Sequence, residues 1–162
     1  MLNEHDVNMF QFGSIYDGYV GGIYRYTFYK LGEQAVAEET TYMIFEKAWQ
    51  DFKRFKKTNR RPRIWLYRFA LDSLNSSNGH QNGSDLSNEC IQLIDGTGNI
   101  ELRRAILALP PQGQDFVILH DIEELPDRDI SEIMGTQPED IRLAVTLART
   151  RLLELLGLQN TT

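Results

Sequence analysis

Cysteine is nearly absent from this sequence: 162 residues contain one, Cys90. No internal disulfide is available, which fits a reducing cytosol. Histidine is equally sparse, with His5, His80 and His120 scattered along the chain. One Cys and three distant His give no spacing that closes a tetrahedral metal site, so no metal and no cofactor is expected. No apolar run approaches the roughly 20 residues of a membrane-crossing helix. The opening Met1-Leu-Asn-Glu-His-Asp is acidic and has no apolar leader core, so the expected location is cytoplasmic, without membrane insertion. A Gly-rich phosphate loop and a nucleophile–base set are also missing, so an enzyme is not expected. Glu123-Glu124 is a carboxylate pair, but adjacent helix positions do not share a face. A solvated surface is its expected place.

What is present is an uneven distribution of charge. The net charge is -6, which at first sight argues against nucleic acid as a partner. Residues 1–75 nevertheless hold 11 Lys and Arg against 9 acids, whereas residues 101–162 hold 6 against 11. The basic residues concentrate in Lys53-Arg54-Phe55-Lys56-Lys57-Thr58-Asn59-Arg60-Arg61-Pro62-Arg63. Such a run is either a solvated loop or a phosphate-binding segment, since phosphate contacts dominate nucleic-acid affinity.

The apolar pattern is helical throughout. Phe12, Ile15, Tyr19, Ile23 and Tyr26 recur at three and four, one face of a helix that Gly32 ends. Ala37, Thr41, Ile44, Phe45, Ala48, Trp49 and Phe52 form the stripe of a second helix. A third is predicted from about Arg63 to Leu74, with Pro62 at its first turn and Trp65, Leu66, Phe69, Ala70 and Leu74 inward. Trp65, Tyr67 and Phe69 could also offer stacking faces to unpaired bases, but for Trp65 and Phe69 a core position is the commoner use. Residues 76–98, with Ser76-Ser-Asn-Gly-His-Gln-Asn-Gly-Ser-Asp85 and Gly96-Thr-Gly98, are rich in turn formers and read as a linker. Beyond it Leu102, Ala105, Ile106 and Leu109 precede Pro110-Pro111, and a helix spans roughly 112–121. Residues 127–134, Gly135 and a final helix from Pro138 to Leu156 make a helix-turn-helix pattern. The expected fold is all-α: two small helical domains, 5–75 and 99–159, joined by the linker.

These residues carry a family likeness. Ile15-Tyr-Asp-Gly-Tyr19, Ala37-Glu-Glu-Thr-Thr41 through Trp49, and Pro62-Arg-Ile-Trp-Leu-Tyr-Arg-Phe-Ala70 resemble region 2 of extracytoplasmic-function (ECF) sigma factors. Leu102-Arg-Arg-Ala-Ile106 through Gln112, Val117 through Leu125, and Asp129-Ile-Ser-Glu-Ile-Met-Gly135 resemble region 4. The resemblance implies a promoter-reading subunit of bacterial RNA polymerase, with core polymerase, promoter DNA and an anti-sigma factor as partners. It places Glu38, Glu39, Phe45 and Trp49 on the polymerase clamp. It assigns Lys56, Lys57, Arg60, Arg61, Arg63, Trp65 and Arg68 to the -10 strand, and Arg142, Thr146, Arg149 and Arg151 to the -35 duplex.

Three stretches depart from the family pattern. Tyr42-Met43 stand where Gln-Glu is usual. Asp72 follows the third helix where basic residues are common, and a carboxylate there repels phosphate. The last helix carries Leu143, Ala144 and Leu147 in place of polar or basic residues, with Glu139 and Asp140 at its start. Those acids suit the helix dipole but not an approach to DNA. The alternative function is therefore a sigma-like decoy that keeps the fold and binds an anti-sigma factor instead of promoter DNA.

Overall fold

The computed structural model of the chain describes residues 1–77 and 100–158. The expected linker lies outside the described residues from position 78 onward, and Cys90 and His80 with it. All regular structure among the described residues is helical.

Helix α1, Glu4–Leu31, starts earlier than its apolar stripe because of a reciprocal cap at Asn3. The Asp6 backbone N–H donates to Asn3 Oδ1 at 2.9 Å, and the Asn3 N–H donates to Asp6 Oδ2 at 3.4 Å. Two otherwise orphaned donors are thereby satisfied ahead of the first buried position. The helix ends at Gly32, whose φ of 77° and N–H bond to the Phe28 carbonyl (2.8 Å) form a left-handed cap. Only Glu33 then separates it from α2, Gln34–Phe55. The pair packs as a helical hairpin, with Ile23 and Ala37 fully buried and the Thr27 and Thr41 hydroxyls 2.9 Å apart inside the contact. Helix α3, Pro62–Ser77, closes this group.

The second group begins with α4, Ile100–Leu107, and α5, Pro111–Val117. The Gln114 amide donates to the Leu107 and Leu109 carbonyls (3.1 and 3.0 Å), tying off the end of α4 that Pro110-Pro111 cannot continue. α5 runs on as a π-helical turn, Ile118–Ile122. Glu124 then takes a φ of 52° and breaks the helix. α6, Asp127–Met134, ends at Gly135 (φ 69°), and α7, Pro138–Leu155, completes a helix-turn-helix.

The two groups pack together, with α3 against α6 and α1 against α4 and the π turn. Their buried side chains form one continuous cluster from Ile23 to Leu152. This explains why α3 is buried on more than one side: Ile64, Trp65, Leu66 and Tyr67 in succession are all at most 5% exposed. A helix with a single partner buries only a stripe.

Candidate nucleic-acid interface

The basic segment occupies the end of α2, the loop after it and the start of α3, and its cations divide into two sets. Arg54, Lys57 and Arg60 are exposed and have no ionic partner among the described residues. Lys53 lies 4.0 Å from Glu4, and Lys56 Nζ donates to Asn8 Oδ1 at 2.6 Å. Arg61 and Arg63, by contrast, reach across to α6. Arg61 lies 2.7 Å from Asp129 and 3.3 Å from Glu132, and Arg63 lies 3.1 Å from Asp129. The Arg68 guanidinium donates to the Glu132 carbonyl at 3.2 Å. Asp129 is only 2% exposed, and its hydrogen bond with Arg61 pushes that guanidinium's pKa upward.

Two more carboxylates of the second group are buried against the first. Asp115 accepts from Tyr26 (2.7 Å) and pairs with Lys30 (2.8 Å), both side chains of that ion pair being at most 5% exposed. Glu123 pairs with Arg25 (2.9 Å) and accepts from the Tyr67 hydroxyl (2.9 Å). Burial, with the neighbouring Glu123 carboxylate, raises the Tyr67 pKa; burial and Asp115 do the same to Tyr26. Glu123 is thus not the solvated residue its sequence position suggests, since its side chain is 3% exposed. Glu124 alone of that pair is exposed. The seam gives the uneven charge of the sequence a structural meaning: an acid-rich half packs on a base-rich one.

Beside the free cations lies a cavity of about 360 Å³. Arg54, Arg60 and Arg68 border it, Trp65 and Phe69 form its wall, and Asp72 stands at its edge. Trp65 is 5% exposed, one face stacked on Phe55 at 4.0 Å and its ring N–H 3.4 Å from Asp51 Oδ2. Phe69 is half-buried against its edge at 5.6 Å. Tyr67 faces the seam, away from this cavity's lining.

On α2, Glu38 and Glu39 are exposed, with Gln34 donating to Glu38 at 2.8 Å. Phe45 is 4% exposed and packs on Phe12 and Tyr16. Trp49 is half-buried against Phe12.

The candidate -35 residues all sit on the exposed part of α7, but each Arg already has an acid. Arg142 is 3.4 Å from Asp127, Arg149 donates to Asp121 at 2.8 Å, and Arg151 is 2.8 Å from Glu154. The Thr146 hydroxyl returns to the Arg142 carbonyl (2.7 Å). Leu143 and Leu147 between them are each 62% exposed. Partial burial would raise the Asp121 pKa, but hydrogen bonds from Arg149 and His120 hold it below its ordinary value.

Among the described residues no group of three or more His, Cys, Asp or Glu side chains is arranged to hold a metal ion. No described helix is long and apolar enough to cross a membrane.

Comparison with known proteins bears on this arrangement. Residues 99–152 match the family described as sigma-70, region 4. Over 157 residues the chain is 28% identical to the ECF RNA polymerase sigma factor BldN of Streptomyces coelicolor, covering 85% of this chain. It spans 59% of that relative's length. In fold it is similar to the sigma factor RpoE solved with the anti-sigma factor NepR from Bartonella quintana. The TM-score is 0.74 at 16% identity, over 93% of this chain and 99% of that one. It is also similar to CnrH solved with the cytosolic domain of CnrY, with a TM-score of 0.66 at 17% identity, over 90% and 87% of the two chains.

Proposed function

We propose that the chain is an ECF sigma factor of the sigma-70 family, a reading supported by the region 4 match and the likeness to BldN, and that it directs core RNA polymerase to promoters, reading a -10 and a -35 element. The role is non-catalytic. Residues 5–75 act as the region 2 unit and 99–159 as the region 4 unit, with 76–98 as the connection between them. Glu38 and Glu39, exposed together on α2, offer polymerase a carboxylate face, and Trp49 supports it from its half-buried place.

The observation that carries the reading is the pair of cations without an ionic partner among the described residues, Arg54 and Arg60, bordering a cavity walled by Trp65 and Phe69, with the exposed Lys57 in the loop between them. Cations without internal partners are free to release counterions from phosphate, and aromatic rings beside them suit unpaired bases. Arg61 and Arg63 are engaged with Asp129 in this arrangement. Their use on the -10 strand therefore requires α6 to move away from α3. Arg142, Thr146, Arg149 and Arg151 on α7 are the candidates for the -35 duplex. An anti-sigma factor is the regulatory partner proposed here, supported by the likeness to folds solved with NepR and CnrY.

The test is open-complex formation by purified protein and core polymerase on a pool of genomic promoter fragments. Specific melting of a subset is the expected outcome. A folded protein that fails to bind core polymerase would sink the reading and favour the decoy.

A further inference from the structure

We propose that the cavity between the end of α2 and α3 is base-selective, taking one unpaired nucleobase with amino donors on its pairing edge, guanine above all, and that Asp72 is the selecting acceptor. The proposal rests on the -10 reading above. Its starting point is a side chain that the reading leaves unexplained. Asp72 puts a carboxylate beside Arg54, Arg60 and Arg68 on the rim of the same cavity. A site built for phosphate alone has no use for it.

The other acid of the cavity, Asp51, already accepts from the Trp65 ring N–H. The Asp72 carboxylate is exposed and engages no described cation or donor; only its backbone carbonyl is used, by the Ser76 hydroxyl at 2.8 Å. An ionised carboxylate is an acceptor only, with two oxygens side by side. Guanine matches it with two parallel donors, the ring N1–H and the 2-amino group. Cytosine and adenine each offer one amino group. Thymine has a single donor, the ring N3–H, flanked by two carbonyl oxygens that the carboxylate repels. Phe69, half-buried at the wall, supplies a ring face for the base. Trp65, covered on one face by Phe55 at 4.0 Å, backs it rigidly. The cations at the rim then hold the flanking phosphates, so charge gives affinity and Asp72 gives choice.

No residue of the second half lines the cavity, so the full chain can be tested alone. The probes are labelled thymidine tracts that are otherwise identical, carrying one central dG, deoxyinosine, dC or dT, read by fluorescence anisotropy. The wild type is expected to bind the dG tract about tenfold more tightly than the all-dT tract, the scale of one good bidentate base contact. Deoxyinosine, which lacks the 2-amino group, should fall between. Asp72→Ala should erase the difference while binding the all-dT tract at least as well, because a repulsive charge is gone. Asp72→Asn, which retains one acceptor, should keep part of the preference. Equal binding of all tracts by the wild type, or a dG preference that survives in Asp72→Ala, would overturn the proposal and leave the -10 reading standing. If the wild type bound no tract even at low salt, the -10 reading itself would fall, and this inference with it.

Discussion

The two halves of the molecule carry similar-looking cations put to different uses. In the first half, Arg25, Lys30, Arg61 and Arg63 reach across to acids of the second, while Arg54, Lys57 and Arg60 are exposed and have no ionic partner among the described residues. In the second half, Arg142, Arg149 and Arg151 pair with acids of their own half. A count of basic residues would rank the two proposed nucleic-acid surfaces by number alone. The pairing ranks them by availability. A cation with a carboxylate a few ångströms away adds little net field for a phosphate to feel, even where the exposed pair itself is worth under about 1 kcal/mol.

The sharpest way to break this contrast is to remove a seam acid. Asp115→Ala strands Lys30 and the Tyr26 hydroxyl in a site that excludes water, and should cost about 3–5 kcal/mol in urea unfolding. Asp129→Ala should cost much less, because Arg61 and Arg63 keep 50% and 41% of their side chains exposed. Equal losses at the two sites would mean that burial does not set the strength of the seam.

Next in size is the split between free and paired cations. Lys57→Ala with Arg60→Ala should weaken single-strand binding about tenfold and lower the salt slope by about two. Arg142→Ala with Arg151→Ala should weaken duplex binding by less than about threefold, given the modest strength of such exposed contacts. The opposite order in parallel salt titrations would reverse the ranking.

Smaller effects separate the seam from the α7 cluster by pH. Tyr67→Phe should cost about 1 kcal/mol at neutral pH through its bond to Glu123. Its raised folded pKa also contributes stability that is complete below the ordinary value of 10.0 and fades as pH rises above it. The alkaline loss of stability in wild type should therefore be blunted in Tyr67→Phe. Asp121 has the opposite sign. Its lowered folded pKa contributes stability present above the ordinary value of 3.8 and lost as pH falls below it. Asp121→Asn should show a shallower decline in an acid titration of unfolding, by less than about 1 kcal/mol.

Helix ends were the most legible part of the sequence, because glycine and proline act through their own backbone. Gly32 and Gly135 sit where positive φ is needed, and Pro62, Pro111 and Pro138 each begin a helix. The start of α1 was less legible. Its first turns bury little, with Phe10 78% exposed, and only the cap at Asn3 marks them. The seam could not be read from local spacing, since Tyr67 and Glu123 are 56 positions apart. Periodicity sees one helix at a time and gives no sign that α3 has a second partner. The one available signal was global, the opposite charge balance of the two ends. The candidate site was legible as a dense basic run, but not in its division. Which arginines are free depends on α6, more than sixty residues away.

Gly22 lies under the seam. A methyl group built on its Cα would stand 2.5 Å from the Tyr67 hydroxyl oxygen and 3.1 Å from Glu123 Oε2, closer than side chains approach one another. α1 thus has no side chain at the point where these two groups meet above it. Gly22→Ala then acts as a neutral wedge: it changes no charge and, placed within a helix, favours that helix by about 1 kcal/mol. Yet it pries at the junction of Arg25, Tyr67 and Glu123. A variant that loosens the two halves without touching any of the cations proposed to bind DNA is the reagent for measuring how much their packing restrains nucleic-acid binding.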